Sequence, residues 1–163
     1  MEPHTSYLVI KDLLEGHNIK NYVFWDSAYV VCGNEDIHEL GITHSGFIEA
    51  ANIYDKLLTD YLIRYTPEVF DCDDFAHLLK TAFSLARVNS CIYAVGKLYD
   101  GNGNFLGYHA FNLLPWAFAR DNADLSLLLI EPQLFPYGGV TVLSKDGTGK
   151  LLDYIYEVMY VEV

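Results

Sequence analysis

The spacing of apolar residues changes period once along this chain, near residue 90, and that change constrains the fold more than any other feature. Upstream, Phe47, Ala50, Ala51, Tyr54, Leu57, Leu58, Tyr61 and Leu62 recur at steps of three and four, which predicts an amphipathic helix over Gly46–Arg64. Phe75, Leu78, Leu79, Ala82, Phe83 and Ala86 repeat the pattern, with Asp71 as N-cap and Asp73 and Asp74 in the first turn, where negative charge suits the helix dipole. After Asn89-Ser90 the period is two. Cys91–Tyr99, a turn at Asp100-Gly101-Asn102-Gly103-Asn104, and Phe105–Leu114 read as a β-hairpin. Leu125–Glu131, Val140–Leu143 and Leu151–Val163 read as further strands, with a turn at Asp121–Asp124. Helices first and strands afterwards predict an α+β fold, with helices packed on an antiparallel β-sheet built from Cys91 onward.

The N-terminal part is more broken. Thr5–Glu15 reads as a short helix, capped by Thr5 or Ser6 and stopped by Gly16. Tyr22–Cys32 reads as a hairpin turning at Asp26-Ser27, and Gly33–Ser45 as loop with a short helical piece. Pro67 bars any continuation of the long helix.

Length and composition bound the function. The 163 residues suit one domain over 1–163, and the 52% hydrophobic content supplies a core. Ten Lys and Arg against 22 Asp and Glu give a net charge of −12, which argues against nucleic acid and against an anionic membrane surface as partners. No apolar run reaches the roughly 18 residues of a membrane span. Met1-Glu2-Pro3-His4 has neither a basic nor an apolar leader region, so a cytoplasmic protein is expected. Three cysteines without a signal make a disulfide framework improbable, and no CxxC or Cys…His spacing suggests structural zinc.

The residues that could carry chemistry converge on Cys72. A thiol at a helix start meets the positive end of the macrodipole and unpaired N–H groups, both of which favour thiolate and can bind an oxyanion. A nucleophilic cysteine also needs a base and an orienting acid. His109 lies mid-strand and Glu131 at a strand end, and both could project from one sheet face. Plainer readings stay open for each: a core thiol, a hydrogen-bonded structural histidine and an exposed strand-end acid.

Phe70-Asp71-Cys72-Asp73-Asp74-Phe75-Ala76, Gly107-Tyr108-His109-Ala110-Phe111-Asn112 and Ile130-Glu131-Pro132-Gln133 together resemble the papain-like cysteine protease domain at the C-terminus of Marasmius-type fungal agglutinins and its phage-encoded relatives. The Cys, His, acid order is also that of papain- and transglutaminase-type enzymes. The resemblance implies a papain-like domain that hydrolyses peptide bonds in a protein or peptide substrate. In it Cys72 would be nucleophile, His109 base and Glu131 orienter, with Gln133 lining the active site. It also implies Ca²⁺ bound by Asp73 and Asp74. The agglutinins' β-trefoil sugar-binding domain has no room in this chain, so sugar binding is not implied. Calcium has a physical reason of its own: carboxylates beside a thiol disfavour thiolate, and a hard cation on oxygen donors would reverse this. The alternative is that Asp71, Asp73 and Asp74 only cap the helix. Asp100–Asn104 resembles part of an EF-hand loop but lacks its length and closing Glu.

Two other functional classes remain. One is a non-catalytic acidic binding or inhibitor module that mimics nucleic acid. The other is a transglutaminase-like acyl transferase using the same three residues. The oligomeric state is open, with a homodimer among the alternatives.

Overall fold

A computed structural model describes residues 4–118 and 124–163. The residues Met1-Glu2-Pro3 and all but the last of the turn expected at Asp121–Asp124 lie outside the described residues. In chain order the elements are β1 (Thr5–Ser6), α1 (Tyr7–Gly16), β2 (Tyr22–Val23), β3 (Ala28–Tyr29), β4 (Val31–Gly33), a 3-10 turn (His38–Leu40), β5 (Ile42–Thr43), α2 (Ser45–Asp60) and α3 (Cys72–Leu85). There follow β6 (Ile92–Asp100), β7 (Phe105–Ala117), β8 (Ser126–Ile130), β9 (Val140–Val142), β10 (Thr148–Leu151) and β11 (Tyr154–Glu162).

Local chemistry explains the helix ends. Ser6 Oγ accepts from the Leu8 N–H at 3.2 Å and starts α1. Asp71 and Asp74 form a capping box on α3, in which Asp74 Oδ2 accepts from the Asp71 N–H at 3.2 Å. Asp36 Oδ1 accepts from the backbone N–H groups of His44 and Ser45 at 2.7 and 3.0 Å and fixes the entry to α2. That helix stops at Asp60, short of Arg64. Leu62 turns into the left-handed region at φ 51°, and Tyr61 and Leu62 both stand in solvent.

The sheet departs from the expected plan. Among the described residues it has nine strands, in the order β10-β11-β6-β7-β4-β5, with β2 on β11, β8 on β7 and β9 on β8. The β6–β7 hairpin forms as expected, but β2 runs parallel to β11, and β4 runs parallel to β5 and to the end of β7. The hairpin expected over Tyr22–Cys32 does not form, because β2 pairs with the C-terminal strand and β3 with β1. The expectation of helices on an antiparallel sheet beginning at Cys91 is therefore corrected to a β-rich fold with a mixed sheet that takes strands from both halves of the chain. β1 and β5, at two residues each, are too short to show a period, and the strand pieces within Tyr22–Cys32 pair with β11, β1 and β7, which lie outside that segment and leave no local signal in it.

Both faces of the central strands are covered. Phe111, Leu113, Leu127 and Leu129 join Ile10 and Leu14 of α1 in one core. Leu114, Trp116, Leu128 and Ile130 join Ala50 and Tyr54 of α2 and Leu79, Ala82 and Phe83 of α3 in the other. This two-sided burial explains why β7 and β8 read as near-continuous apolar runs. It also sets the start of α3 against the middle of β7.

Candidate functional site

Cys72 is the first residue of α3 and is half-buried. The helix is docked one turn further on by Asn112 of β7, whose side-chain amide is buried. Asn112 Nδ2 donates to the carbonyls of Ala76 at 3.0 Å and Ile92 at 3.2 Å. Strand alternation then aims His109, three residues before Asn112, away from that clamp. The thiol and the imidazole are hydrogen-bonded side chain to side chain, and the thiol is further engaged by the backbone of Ala110.

The second ring nitrogen of His109 is equally committed. Nε2 lies 2.6 Å from Glu131 Oε2, which leaves Nδ1 for the thiol. Glu131 is only 6% exposed, so its charge needs internal donors. Tyr156 of β11 donates its hydroxyl to Oε2 at 2.8 Å, and the Gln133 N–H donates to Oε1 at 3.2 Å. The backbone of Glu131 is pinned too. Its N–H donates to the Gly139 carbonyl at 2.7 Å, and its carbonyl accepts from the Leu134 and Phe135 N–H groups, both at 3.1 Å. The imidazole ring itself is held between Phe111 and Tyr156, with centroids 6.3 and 5.8 Å away.

The electrostatics follow from these contacts. Burial works against a charged His109, but hydrogen bonds to Cys72 and Glu131 outweigh it and push the imidazole up to about 9. The hydrogen bond to His109 brings the Cys72 thiol below its ordinary range, against burial and the nearby Asp71 charge. Burial pushes Cys32 up and Cys91 up to about 12, so these two behave as core thiols. All three cysteines are free.

The acidic residues around Cys72 divide their roles. Asp71, Cys72 and Asp73 each bring a potential ligand atom within 4.8 Å of the others. Asp71 is pushed up by its hydrogen bond with the Asp73 carboxyl and by burial, and its Oδ1 is buried with no hydrogen-bond partner among the described residues. Two crowded carboxylates with an unsatisfied oxygen are a donor set that fits a hard cation such as Ca²⁺. Asp74 gives an oxygen to the helix cap instead.

So the structure brings Cys72, His109 and Glu131 into one hydrogen-bonded chain, places Gln133 beside Glu131, and sets Asp73 next to Asp71. Sequence reasoning missed Tyr156 and Asn112. The available signal was weak: a buried strand-end carboxylate requires donors, and the C-terminal strand is rich in tyrosine.

Taken together, the chain is a β-rich domain with a thiol–imidazole–carboxylate chain at the junction of one helix and its sheet. No family model matches the sequence, and no curated protein matches it. Among solved structures it is similar to PSL1a, solved as a complex with E64, with a TM-score of 0.59 and 18% identity. It is equally similar to Polyporus squamosus lectin bound to the human-type influenza-binding epitope Neu5Acα2-6Galβ1-4GlcNAc, again with a TM-score of 0.59 and 18% identity. The alignments cover 98% of this chain but 51% and 49% of those chains, so it spans about half their length.

These likenesses show the fold, and they correct the sequence-based assignment. The arrangement is shared with lectin chains, and the expected papain-like cysteine peptidase fold is overturned by that finding. The expected resemblance to the protease domain of Marasmius-type agglutinins and phage relatives is corrected with it, as are the hydrolase description and peptide-bond hydrolysis of a protein or peptide substrate. Three short motifs carried that assignment, and short motifs fix neighbouring residues without fixing what the rest of the chain is built for. No helix among the described residues is long and apolar enough to cross a membrane.

Proposed function

We propose that Cys72, His109 and Glu131 form an activated-thiol centre that takes up an acyl group from an activated acyl compound. Peptide hydrolysis is not part of this reading. The observation that carries it is the continuous hydrogen-bonded chain from Cys72 through His109 to Glu131, in which the thiol is lowered and the imidazole raised. Such a chain favours thiolate and imidazolium together, the form in which a cysteine is nucleophilic.

The chemistry runs in two steps. The Cys72 thiolate attacks the acyl carbon, forming an S–C bond. The bond to the leaving group breaks, and the leaving group takes the proton from His109. An acceptor amine then gives a proton back to His109 while its nitrogen attacks the thioester, and the C–S bond breaks to return the thiolate and release the acylated acceptor. Backbone N–H groups at the start of α3 are the donors for the transient oxyanion. Glu131, held by Tyr156 and the Gln133 N–H, keeps the imidazole oriented, and Gln133 lines the same cleft. Asp71 and Asp73 are the residues that would hold Ca²⁺, which would offset their charge beside the thiolate.

The test is a burst of p-nitrophenol from p-nitrophenyl acetate, with the acyl adduct located by peptide mass mapping. A burst stoichiometric with protein and a label on Cys72, both absent in Cys72→Ala, are expected. E64, present in the complex of a structural neighbour, is a second probe for a Cys72 adduct. No adduct from either compound would overturn the reading.

A second reading, glycan binding, rests on the neighbour solved with a sialylated trisaccharide. A glycan fits a partner that is neither nucleic acid nor membrane. Calorimetric titration with Neu5Acα2-6Galβ1-4GlcNAc tests it, and saturable binding by both wild type and Cys72→Ala is the expected result. Heats no larger than those of dilution would remove it.

A further inference from the structure

Beside the imidazole lies a cavity of about 290 Å³, bounded by His109, Leu98, Leu134, Leu152, Tyr154 and Tyr156, with Glu131 and Gln133 completing its wall. We propose that it binds the uncharged, apolar acyl chain of the compound that acylates Cys72, which rests on the activated-thiol reading above. His109 links the two places, since one ring nitrogen meets the thiol and the ring itself forms a wall of the cavity. The volume, at about 30 Å³ per small group, holds roughly ten non-hydrogen atoms, the size of a hexanoyl to octanoyl chain. The wall chemistry selects against charge. Among the described residues it carries no Lys or Arg, and Glu131 is already occupied by His109, Tyr156 and the Gln133 N–H. A carboxylate-bearing chain would also meet a protein of net charge −12. The apolar residues are exposed without a ligand: Leu134 is 40% and Leu152 is 75% exposed, in loops that flank the opening. Their burial against a chain supplies the selectivity.

The experiment is a series of p-nitrophenyl esters from acetate to decanoate, followed as kcat/KM, with wild type, Leu134→Asp and Leu152→Asp. In wild type kcat/KM should rise with each methylene, toward the threefold to fourfold that about 0.8 kcal/mol per methylene allows, and level off near octanoate. Both variants should reduce the octanoate-to-acetate ratio at least about tenfold. Leu152, the more exposed residue, serves if Leu134→Asp fails to fold. Binding of octanamide to Cys72→Ala, read from methyl chemical shifts, separates this inference from the nucleophile. Saturable shifts at Leu98, Leu134 and Leu152 support the cavity even if no ester is turned over. Thiol-dependent turnover with a flat chain-length profile overturns the cavity while leaving the nucleophile standing, and a profile unchanged in both variants overturns it equally.

Discussion

Tyr156 donates its hydroxyl to Glu131 Oε2 at 2.8 Å, the same oxygen that lies 2.6 Å from His109 Nε2. A residue on the last strand thus steadies the acid that orients the imidazole. Tyr156→Phe removes one buried hydrogen bond to a charged acceptor, a loss of about 1.5–3 kcal/mol. Urea unfolding should show a lower midpoint with an unchanged slope. A midpoint equal to wild type would show that Glu131 is held by His109 and the Gln133 N–H alone.

Alkylation by iodoacetamide should single out Cys72 among the three thiols in the native, chelator-treated protein. Cys72 is lowered by His109, so its thiolate is populated below the ordinary thiol range, and the acidic limb of its rate profile should lie below that of a free cysteine measured under the same conditions. Cys32 and Cys91 are buried and raised, and should react only after unfolding. In His109→Gln the largest lowering influence is gone while burial and Asp71 remain, so the limb should move upward. Peptide mapping that finds Cys72 the slowest of the three contradicts the site.

Calcium should raise the melting temperature of the wild-type protein, since a ligand that binds only the folded state stabilises it by mass action. Asp73→Asn should remove most of that rise, because Asp73 crowds Asp71 and its unpartnered oxygen. Asp74→Asn keeps an oxygen for the Asp71 N–H but removes a negative charge from the first turn, at a cost of about 0.3–1 kcal/mol, and should keep the rise on a lower baseline. Equal loss of the calcium response in both variants would reassign the donors. A wild-type melting temperature that calcium leaves unchanged would remove the cation.

Gly96 of β6 pairs with His109 in register, and a Cβ there would come within 2.0 Å of the Glu157 carbonyl of β11. Backbone cannot yield as a flexible side chain does. Gly96→Ala should therefore cost more than the roughly 1–3 kcal/mol of ordinary overpacking. It should also slow Cys72 alkylation, because β11 carries Tyr156. Wild-type stability would show that β11 can shift away freely at its irregularity between Val158 and Tyr160.

What the sequence determined by itself is local. The capped start of α3 was readable from Asp71 and the apolar spacing of Phe75, Leu79, Ala82 and Phe83, because a helix is closed by bonds within four residues. The β6–β7 hairpin was readable from its Gly- and Asn-rich turn, whereas Cys72, His109 and Glu131 were candidates each with a plainer reading beside it, and only the fold put His109 against Glu131. The tertiary structure decided everything that depends on distant partners. Tyr22–Cys32 reads as strand, but that β2 and β4 pair in parallel with β11 and β7 rather than with each other was set by the assembled sheet. The likeness of the fold turned on that assembly, which is why three short motifs pointed to a peptidase while the whole chain is similar in fold to a lectin structure. Tyr156 reached Glu131 only because β11 lies beside β6 and β6 beside β7. Asp71 joined Asp73 while Asp74 closed the cap because the helix start fixes where each carboxylate points. Side chains within one turn are ordered by local geometry, but a buried charge is neutralised by whichever donors the packed core delivers, and sequence order does not specify those.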